Sequence, residues 1–342
     1  MATSEPSQKS AAPKKFHVLI CDRFDVEAFA RLKADPRLRV ETSAQPIPTA
    51  SELENCEALI IRSRTKITTE LLNLSPQLSL IVTATSGFDH IDLNATKNLA
   101  VAHTPNANAD SATELTWALI LATTRRLGEA QKAVKLGHWD RSALIGRELS
   151  GKTLGIVGLG RIGTRVARIG SAFGMKIAAF DPYLESTDFA KACAERLSYE
   201  ELLRLTDVLT FHVPDTRETR HMLRASHLEL MSRHAIVVNA SRGPVIREPD
   251  LVAALSEGWI AGCGLDVYER EPLPRDSRLM SFPNVILTPH LGATTSEAFA
   301  RSSQEAASIV LRFLEVGREA LGRDALPPTA EWHQAGFRAA EE

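Results

Sequence analysis

Residues 152–181 of this 342-residue chain read KTLGIVGLGRIGTRVARIGSAFGMKIAAFD, and this stretch decides the fold. It opens with an apolar run, Leu154 to Val157, that is short enough for a buried parallel strand. Three glycines follow in G-x-G-x-x-G spacing, then apolar residues at helical intervals, and a second apolar run that ends in Asp181. Strand, glycine turn, helix, strand and terminal acid together predict a dinucleotide-binding unit.

Each glycine of the turn has its own physical role in such a unit. Gly158 permits the tight turn, Gly160 lets the backbone approach a pyrophosphate, and Gly163 lets the helix pack closely on the strand. The N-terminus of the helix offers N–H groups and partial positive charge to the phosphates. Asp181 can accept hydrogen bonds from the adenosine ribose and would repel a 2′-phosphate, so the sequence predicts NAD rather than NADP.

The composition is that of a soluble globular protein with two domains of ordinary size. A net charge of −2 does not favour binding to nucleic acid or to an anionic membrane. No apolar run approaches membrane-spanning length. The four cysteines are scattered, which predicts reduced thiols in the cytoplasm, and no spacing of histidine, cysteine or acid predicts a metal site. The polar residues 1–15 lack the apolar core of a signal peptide and are predicted to be a disordered tail.

Strand-like and helix-like segments alternate along the rest of the chain. This alternation predicts parallel sheets covered by helices, with a flavodoxin-like first domain and a Rossmann second domain. An amphipathic helix from Thr294 is expected to return to the first domain because the second is complete by then. The predicted organisation is a substrate domain over 16–107 and 294–325, an NAD-binding domain over 108–293, and a tail over 326–342.

A long helical pattern begins near Asp110 and runs to about Gly137. It is too long and too apolar for a simple surface helix. Two interpretations remain open: a bridge that leaves the first domain and packs beneath the second, or a buried core helix within one domain.

Polar residues at successive strand ends suggest the chemistry. Arg242, Asp266 and His290 each follow a predicted strand, and Glu271 comes shortly after Asp266. The carboxyl ends of parallel strands line the ligand crevice of such folds. A histidine with a pKa near neutral is suited to remove a hydroxyl proton, and a neighbouring carboxylate orients the ring and raises that pKa. An arginine can bind a substrate carboxylate through two parallel hydrogen bonds.

The sequence resembles the D-isomer-specific 2-hydroxyacid dehydrogenase family, most closely its D-3-phosphoglycerate dehydrogenases and hydroxypyruvate/glyoxylate reductases. The matching motifs of the second domain are LGIVGLGRIG (154–163), VVNASRGPVI (237–246), GLDVYEREP (264–272) and TPHLGATTSEA (288–298). Those of the first domain are IIRSRTKIT (60–68), SGFDHIDL (86–93) and TPNANADSATEL (104–115). The resemblance implies an NAD-dependent oxidoreductase that interconverts a D-2-hydroxy acid and its 2-keto acid in the cleft between the two domains.

The resemblance also implies roles for individual residues. His290 would be the acid/base, Glu271 its partner, and Arg242 the group that binds the substrate carboxylate or carbonyl. The implied cofactor-binding residues are Gly158, Gly160, Arg161, Ile162, Gly163, Asp181, Val213, Ala240, Ser241, Asp266 and Gly292. The implied substrate-binding residues are Arg62, Ser63, Ser86, Gly87, Arg242 and His290. A homodimer through the helix and arm of residues 110–150 is implied as well, with Trp139 reaching toward the partner's active site.

Three alternatives stay open at this point. Formate dehydrogenase shares the fold but pairs its histidine with glutamine, so Glu271 argues against it. A hydroxypyruvate/glyoxylate reductase is the nearest alternative enzyme. An NAD(H)-sensing interaction protein, such as the corepressors built on this fold, would also keep the arginine, acid and histidine. A phosphorylated substrate would need further cations, for which Arg62, Arg64 and Arg141 are candidates.

Overall fold

The computed structural model describes residues 14–45, 47–96 and 98–317, which belong to two compact units. The first unit contains the chain up to Thr104 and again from Ser302, and the second contains Pro105–Arg301. The C-terminal tail predicted over 326–342, and all but residues 14 and 15 of the N-terminal tail, lie outside the described residues. Within the described ranges, no helix is both long and apolar enough to cross a membrane.

The first unit is built on a parallel sheet in the order β2-β1-β3-β4-β5, which is the flavodoxin-like order. Its strands are β1 (Phe16–Ile20), β2 (Leu38–Thr42), β3 (Ala58–Ile61), β4 (Leu80–Thr83) and β5 (Ala100–His103). Its helices α1 (Val26–Lys33), α2 (Ala50–Leu53) and α3 (Thr69–Asn73) connect the strands. Thr49 and Thr68 cap α2 and α3 through their side chains, as their sequence pattern indicates. The prediction of a parallel α/β sheet is confirmed.

The C-terminal helix α11 (Ser296–Val316) contributes to the core of this first sheet. Ala306, Ala307, Ile309 and Val310 are buried against apolar residues of the strands and of α1. A helix with this amphipathic pattern gains stability by burying its apolar stripe, and the first sheet offers the apolar face that it needs. The described residues from Ser302 onward belong to the first unit.

The second unit contains a seven-stranded parallel sheet in the order β12-β11-β10-β9-β6-β7-β8, the doubly wound arrangement of a Rossmann domain. Its strands are β6 (Thr153–Val157), β7 (Lys176–Phe180), β8 (Glu195–Arg196), β9 (Val208–Phe211), β10 (Ile236–Asn239), β11 (Gly262–Leu265) and β12 (Val285–Leu287). Its further helices are α6 (Arg161–Ala172), α7 (Ser186–Lys191), α8 (Tyr199–Leu205), α9 (Ala225–Leu228) and α10 (Glu248–Glu257). Short 3-10 turns cover Ser142–Leu144, Gly243–Val245 and Arg278–Ser281.

The long helical pattern from Asp110 to Gly137 is not one helix, which corrects the sequence-based interpretation. It forms α4 (Ala109–Thr124) and α5 (Leu127–Lys135), separated by Arg126 in the left-handed conformation with φ of 51°. The Arg126 guanidinium donates to both carboxylate oxygens of Glu129 and to the carbonyl of Ala143, and these bonds hold the break. Helix α4 lies entirely in the second unit, a placement that both interpretations, the bridge and the core helix within one domain, allow.

Candidate active site

The glycine turn between β6 and α6 leaves open space at its middle glycine. A Cβ on Gly158, whose φ is 89°, would lie 2.6 Å from the carbonyl of His212. One on Gly163 would collide with the carbonyl of Gly158, whereas one on Gly160 would meet nothing within 4 Å. Gly160 is also the N-cap of α6, and it supplies no side chain to occupy the N–H groups of the helix. The turn is thus tight at its ends and open where a diphosphate would approach.

Asp181 closes this turn from the end of β7. Its Oδ2 accepts the backbone N–H of Leu159 at 3.0 Å, and its Oδ1 accepts that of Tyr183 at 3.0 Å. Burial raises the pKa of the carboxyl, against the lowering effect of those two hydrogen bonds and of the charge of Arg196. The carboxylate therefore fixes the backbone between the glycines in addition to standing where a ribose is expected.

His290 and Glu271 form a close pair in the second unit. Nδ1 of His290 lies 2.7 Å from Oε2 of Glu271, and Oε1 of Glu271 accepts the backbone N–H of Tyr268 at 3.2 Å. The hydrogen bond to Glu271 raises the pKa of His290, against the opposing effect of burial, and the charge of Glu271 adds to the rise. With Nδ1 bound to a carboxylate, Nε2 is the ring nitrogen suited to exchange a proton with a substrate.

The pKa of Glu271 is lowered although burial acts to raise it. The hydrogen bond and the charge of His290 outweigh burial, and the N–H of Tyr268 and the charge of Arg242 act in the same direction. The charge of Arg242 also lowers the pKa of His290. Arg242 therefore acts electrostatically on both members of the pair, and the structure brings together the arginine, acid and histidine named from the sequence.

Asp266 is a fully buried hydrogen-bond centre beneath the histidine. Its Oδ1 accepts the hydroxyl of Thr288 at 2.6 Å and the N–H of Leu291 at 2.7 Å, and its Oδ2 accepts the N–H of Gly292 at 2.9 Å. Its carbonyl accepts the N–H of His290 at 2.9 Å. One buried carboxylate thus organises the whole segment that carries the imidazole, because each unpaired N–H there would be costly.

The backbone of His290 adopts a left-handed conformation with φ of 56°. Such values are uncommon outside glycine and are held in place by surrounding contacts. Here the N–H of His290 donates to the carbonyls of Asp266 and Thr288, at 2.9 and 3.1 Å. The conformation departs from the extended path of β12 and orients the imidazole toward Glu271.

Three residues that sequence reasoning did not single out support the named ones. Asn239 donates through Nδ2 to the carbonyl of Arg242 at 2.9 Å, and its Oδ1 accepts the hydroxyl of Ser241 at 2.8 Å. Tyr268 donates its hydroxyl to the carbonyl of Thr288 at 2.8 Å. Asn239, Tyr268 and Thr288 lie within the quoted motifs VVNASRGPVI, GLDVYEREP and TPHLGATTSEA. Their closeness in sequence to Arg242, Asp266 and His290 is the feature that could have identified them.

The remaining predicted cofactor residues also stand at the carboxyl ends of the strands. Val213 follows β9 and is the side chain that a Cβ on Gly158 would meet at 2.7 Å. A Cβ on Gly292 would contact Oδ2 of Asp266 at 3.4 Å and the carbonyl of Ala240 at 3.9 Å. Arg161 and Ile162 open α6 directly after the glycine turn.

The substrate residues named in the first unit follow β3 and β4. The backbone N–H of Arg62 donates to Asp22 at 2.9 Å, and its guanidinium donates to Ser302 at 2.9 Å. Ser63 is the next residue and is exposed. The carbonyl of Ser86 is bonded to Nδ1 of His103 at 2.9 Å, and that of Gly87 accepts the hydroxyl of Thr85 at 2.7 Å. This turn is therefore held through its carbonyl groups.

Comparison with known proteins identifies the family. Residues 117–292 match the family model described as "D-isomer specific 2-hydroxyacid dehydrogenase, NAD binding domain". The chain belongs to this family. It is therefore an NAD-binding oxidoreductase of the class that acts on CH–OH groups. The resemblance drawn from the motifs is confirmed, as is the fold class of a Rossmann domain plus a substrate domain.

Proteins with three different named activities are similar to this chain. A glyoxylate reductase of Aeropyrum pernix is 39% identical over 306 residues, covering 87% of this chain and 89% of the relative. A D-3-phosphoglycerate dehydrogenase of Methanocaldococcus jannaschii is 39% identical over 289 residues, covering 82% of this chain but 54% of the relative. The D-lactate dehydrogenase of Aquifex aeolicus, solved with NAD and lactic acid, is 33% identical with a TM-score of 0.80, covering 91% and 98% of the two chains.

Proposed function

We propose that this enzyme interconverts a small D-2-hydroxy acid and its 2-keto acid, with His290 as the acid/base. The observation that carries the proposal is the bond of 2.7 Å between Nδ1 of His290 and Glu271. A carboxylate at Nδ1 fixes the tautomer in which Nε2 accepts a proton, and it stabilises the imidazolium after transfer. In the reverse reaction, the imidazolium would protonate the alkoxide that forms as the 2-keto acid is reduced.

The cofactor site has the features that NAD requires. A bound nicotinamide cofactor would supply the hydride chemistry, with NAD as the acceptor in oxidation and NADH as the donor in reduction. The open space at Gly160 and the uncapped start of α6 suit the diphosphate, and Asp181 suits the adenosine ribose. The other cofactor residues named from the motifs are proposed for the same site, including Asp266 beneath His290.

The substrate carboxylate would be bound by cationic and main-chain groups. Arg242 is proposed as its principal partner because a guanidinium can hold a carboxylate by two parallel bonds and polarise the adjacent carbonyl. Ser86 and Gly87 are proposed to bind it through their N–H groups, which fits a turn whose carbonyls are bonded on the protein side. Arg62 and Ser63 are proposed to contact the rest of the substrate.

The acid itself is proposed to be phosphoglycerate dehydrogenase-like, with hydroxypyruvate or glyoxylate as the alternative substrate. Relatives with both names are 39% identical to this chain. Arg62 and Arg64 in the first unit offer positive charge for a phosphate, which favours the phosphorylated acid. The chain spans about half the length of the D-3-phosphoglycerate dehydrogenase relative from Methanocaldococcus and most of the length of the glyoxylate reductase. The keto acids of both relatives should therefore be compared as substrates in one assay.

A panel of 2-keto acids tests the function. Phosphohydroxypyruvate, hydroxypyruvate, glyoxylate and 2-ketoglutarate are offered with NADH, and the loss of NADH absorbance gives kcat and KM for each. His290→Ala should lower turnover of the preferred acid about 100-fold or more while NADH still binds. Near-normal turnover in that variant would remove His290 from the proposed role. Slow turnover of every acid with tight NADH binding would favour the NAD-sensing interaction protein.

We also propose a homodimer in the cytoplasm. The arm of residues 110–150 exposes several large apolar side chains, among which Trp139 is 79% and Ile145 is 75% exposed. An exposed apolar group of this kind is typical of a surface that a partner covers. The four cysteines are free, which fits a reducing compartment. Light scattering tests the dimer, and fractionation of the source cells tests the location.

A further inference from the structure

The loop that carries Glu271 has no regular secondary structure of its own. Residues 266–272 follow β11 as bends and coil, and within this loop Glu271 accepts only the N–H of Tyr268. A loop without ladder bonds is positioned by its contacts with other segments. The orientation of Glu271, and therefore of His290, depends on what holds the loop from outside.

Glu269, two residues before Glu271, is held at both its side chain and its backbone. Its Oε1 lies 2.7 Å from Nε2 of His221, and its backbone N–H donates to the carboxylate of Glu248. Burial, and next to it the charge of Glu269, raises the pKa of Glu248, whose carboxylate also accepts the hydroxyl of Ser277 at 3.4 Å. Glu269 therefore attaches the loop to neighbouring segments in addition to the bonds of Asp266 and Tyr268.

His221 is in turn fixed to the segment that follows Arg242. Its N–H donates to the carbonyl of Pro244 at 2.7 Å, and Leu223, two residues later, pairs with Val245 and Arg247 through backbone bonds of 3.1 and 2.9 Å. Its φ of 53° is the left-handed conformation, so the residue turns sharply to present its ring. The contact between His221 and Glu269 thus connects the chain around Arg242 with the loop of Glu271.

Gly243 makes the same connection through direct backbone packing. A Cβ at this position would collide with the carbonyl of Tyr268 and lie 2.7 Å from the backbone nitrogen of Glu269. The segments after β10 and after β11 are therefore in backbone contact directly beside Arg242 and beneath Glu271. Because close-packed backbones have little free space, a small displacement of Glu269 would be transmitted to the segments that carry Arg242 and Glu271.

We propose that His221 and Glu269 form a brace, the His221–Glu269 pair, that positions Glu271 against His290 and Arg242. The inference rests on the proposed acid/base role of His290 and identifies two positioning residues for it. The pair is partly exposed, with 42% and 28% of its side chains accessible, so it adds little to global stability. Its effect is on local geometry, and catalysis is sensitive to displacements of about 1 Å.

A histidine titration separates positioning from a merely structural role. The hydrogen bond and the charge of Glu271 are the largest influences that raise the pKa of His290, and the charges of Arg242 and Asp266 follow. A brace that positions Glu271 should therefore change this pKa when Glu269 is replaced, and Glu269→Gln, which removes the charge of Glu269 but keeps an acceptor for His221, separates positioning from a direct effect of that charge. The Hε1 resonance of His290, assigned by its loss in His290→Ala, is titrated by NMR in the protein without substrate.

The variants are Glu269→Ala, Glu269→Gln and His221→Asn. Asparagine tolerates the left-handed backbone at 221 but is too short to reach Glu269. Glu269→Ala and His221→Asn should lower the pKa of His290 by about 0.5 pH unit and move the alkaline limb of 2-keto acid reduction equally. Glu269→Gln keeps an acceptor for His221 and should restore most of the wild-type titration. Glu41→Ala, which breaks the pair of His17 and Glu41 at 3.0 Å in the first unit, is the matched control.

The outcomes distinguish the brace from the function on which it rests. The brace alone is overturned if the pKa of His290 in both Glu269→Ala and His221→Asn equals that of the wild type while it is shifted in Glu271→Gln. A lower melting temperature in the brace variants with an unchanged titration also overturns it, since that is a structural role only. If Glu271→Gln itself leaves the titration and the rate unchanged, the acid/base proposal fails first and the brace fails with it.

Discussion

Nδ1 of His290 lies 2.7 Å from Oε2 of Glu271, although 19 residues separate them in the chain. The two residues follow different strands of the same parallel sheet, and the sheet brings the ends of those strands to one edge. Glu271 raises the pKa of His290 chiefly through this hydrogen bond, and His290 in turn lowers the pKa of Glu271 despite its burial. The pair is therefore mutually stabilised in its charged form.

The first prediction concerns the pH dependence of the reaction. Reduction of a 2-keto acid needs the imidazolium, so its rate falls as the pH rises through the pKa of His290. Oxidation needs the neutral ring and falls as the pH drops through the same pKa. Glu271→Gln removes the charge that raises this pKa, so both limbs should move to lower pH, by about one pH unit. Initial rates from pH 5 to 10 in both directions measure the shift. Limbs that move in opposite directions would contradict a single shared group.

The second prediction separates two glycines of the same turn. Gly160→Ala places a methyl group in open space, so the protein should melt at the wild-type temperature yet bind NADH at least about tenfold more weakly. Gly163→Ala places the methyl group on the carbonyl of Gly158 and should cost about 1–3 kcal/mol of folding free energy. Thermal melts and quenching of tryptophan fluorescence by NADH measure the two effects. Equal NADH affinity in Gly160→Ala and wild type would show that no diphosphate passes there.

Much of the fold could be predicted because its signals are local. The buried strands are short apolar runs, so the run Leu154 to Val157 locates β6 within one residue of its bounds. Gly158 and Gly163 stand where a Cβ would collide with neighbouring carbonyls, as the spacing of the three glycines indicates. Because the carboxyl ends of parallel strands lie at one edge of a sheet, the sequence alone predicts that Arg242 and His290 lie at the same edge.

The features that could not be predicted depend on distant contacts. The break at Arg126 is held in part by a carbonyl 17 residues further along the chain, so the helical pattern ran through it. Strand β8 has two exposed residues and no apolar pattern. The role of Asp266 as a hydrogen-bond centre requires the backbone of residues 288–292 to be in place, and sequence spacing carries no information on that geometry.

The third prediction concerns the choice of cofactor. Asp181→Asn removes the charge that would repel a 2′-phosphate but keeps a side chain that can accept a backbone N–H. The ratio of kcat/KM with NADPH to that with NADH should rise on the order of tenfold. Asp181→Ala should in addition lose about 1–3 kcal/mol of stability for each unpaired N–H of Leu159 and Tyr183. Steady-state kinetics with both cofactors and thermal melts measure these changes. An unchanged ratio in Asp181→Asn would leave the carboxylate with a structural role alone.

The fourth prediction concerns the arm of residues 110–150. Trp139 and Ile145 expose most of their apolar surface, which is unfavourable in water and is relieved when a second copy covers it. The wild-type chain of 37.4 kDa should therefore elute with about twice that mass, and the double variant Trp139→Arg/Ile145→Glu should elute as a monomer. Size-exclusion chromatography with light scattering measures the mass across a range of concentrations. Val26, which is 79% exposed in the first unit, provides the matched control Val26→Glu, which should leave the dimer intact. A wild-type chain that stays monomeric at high micromolar concentration, or a double variant that stays dimeric, would place the subunit contact elsewhere or remove it.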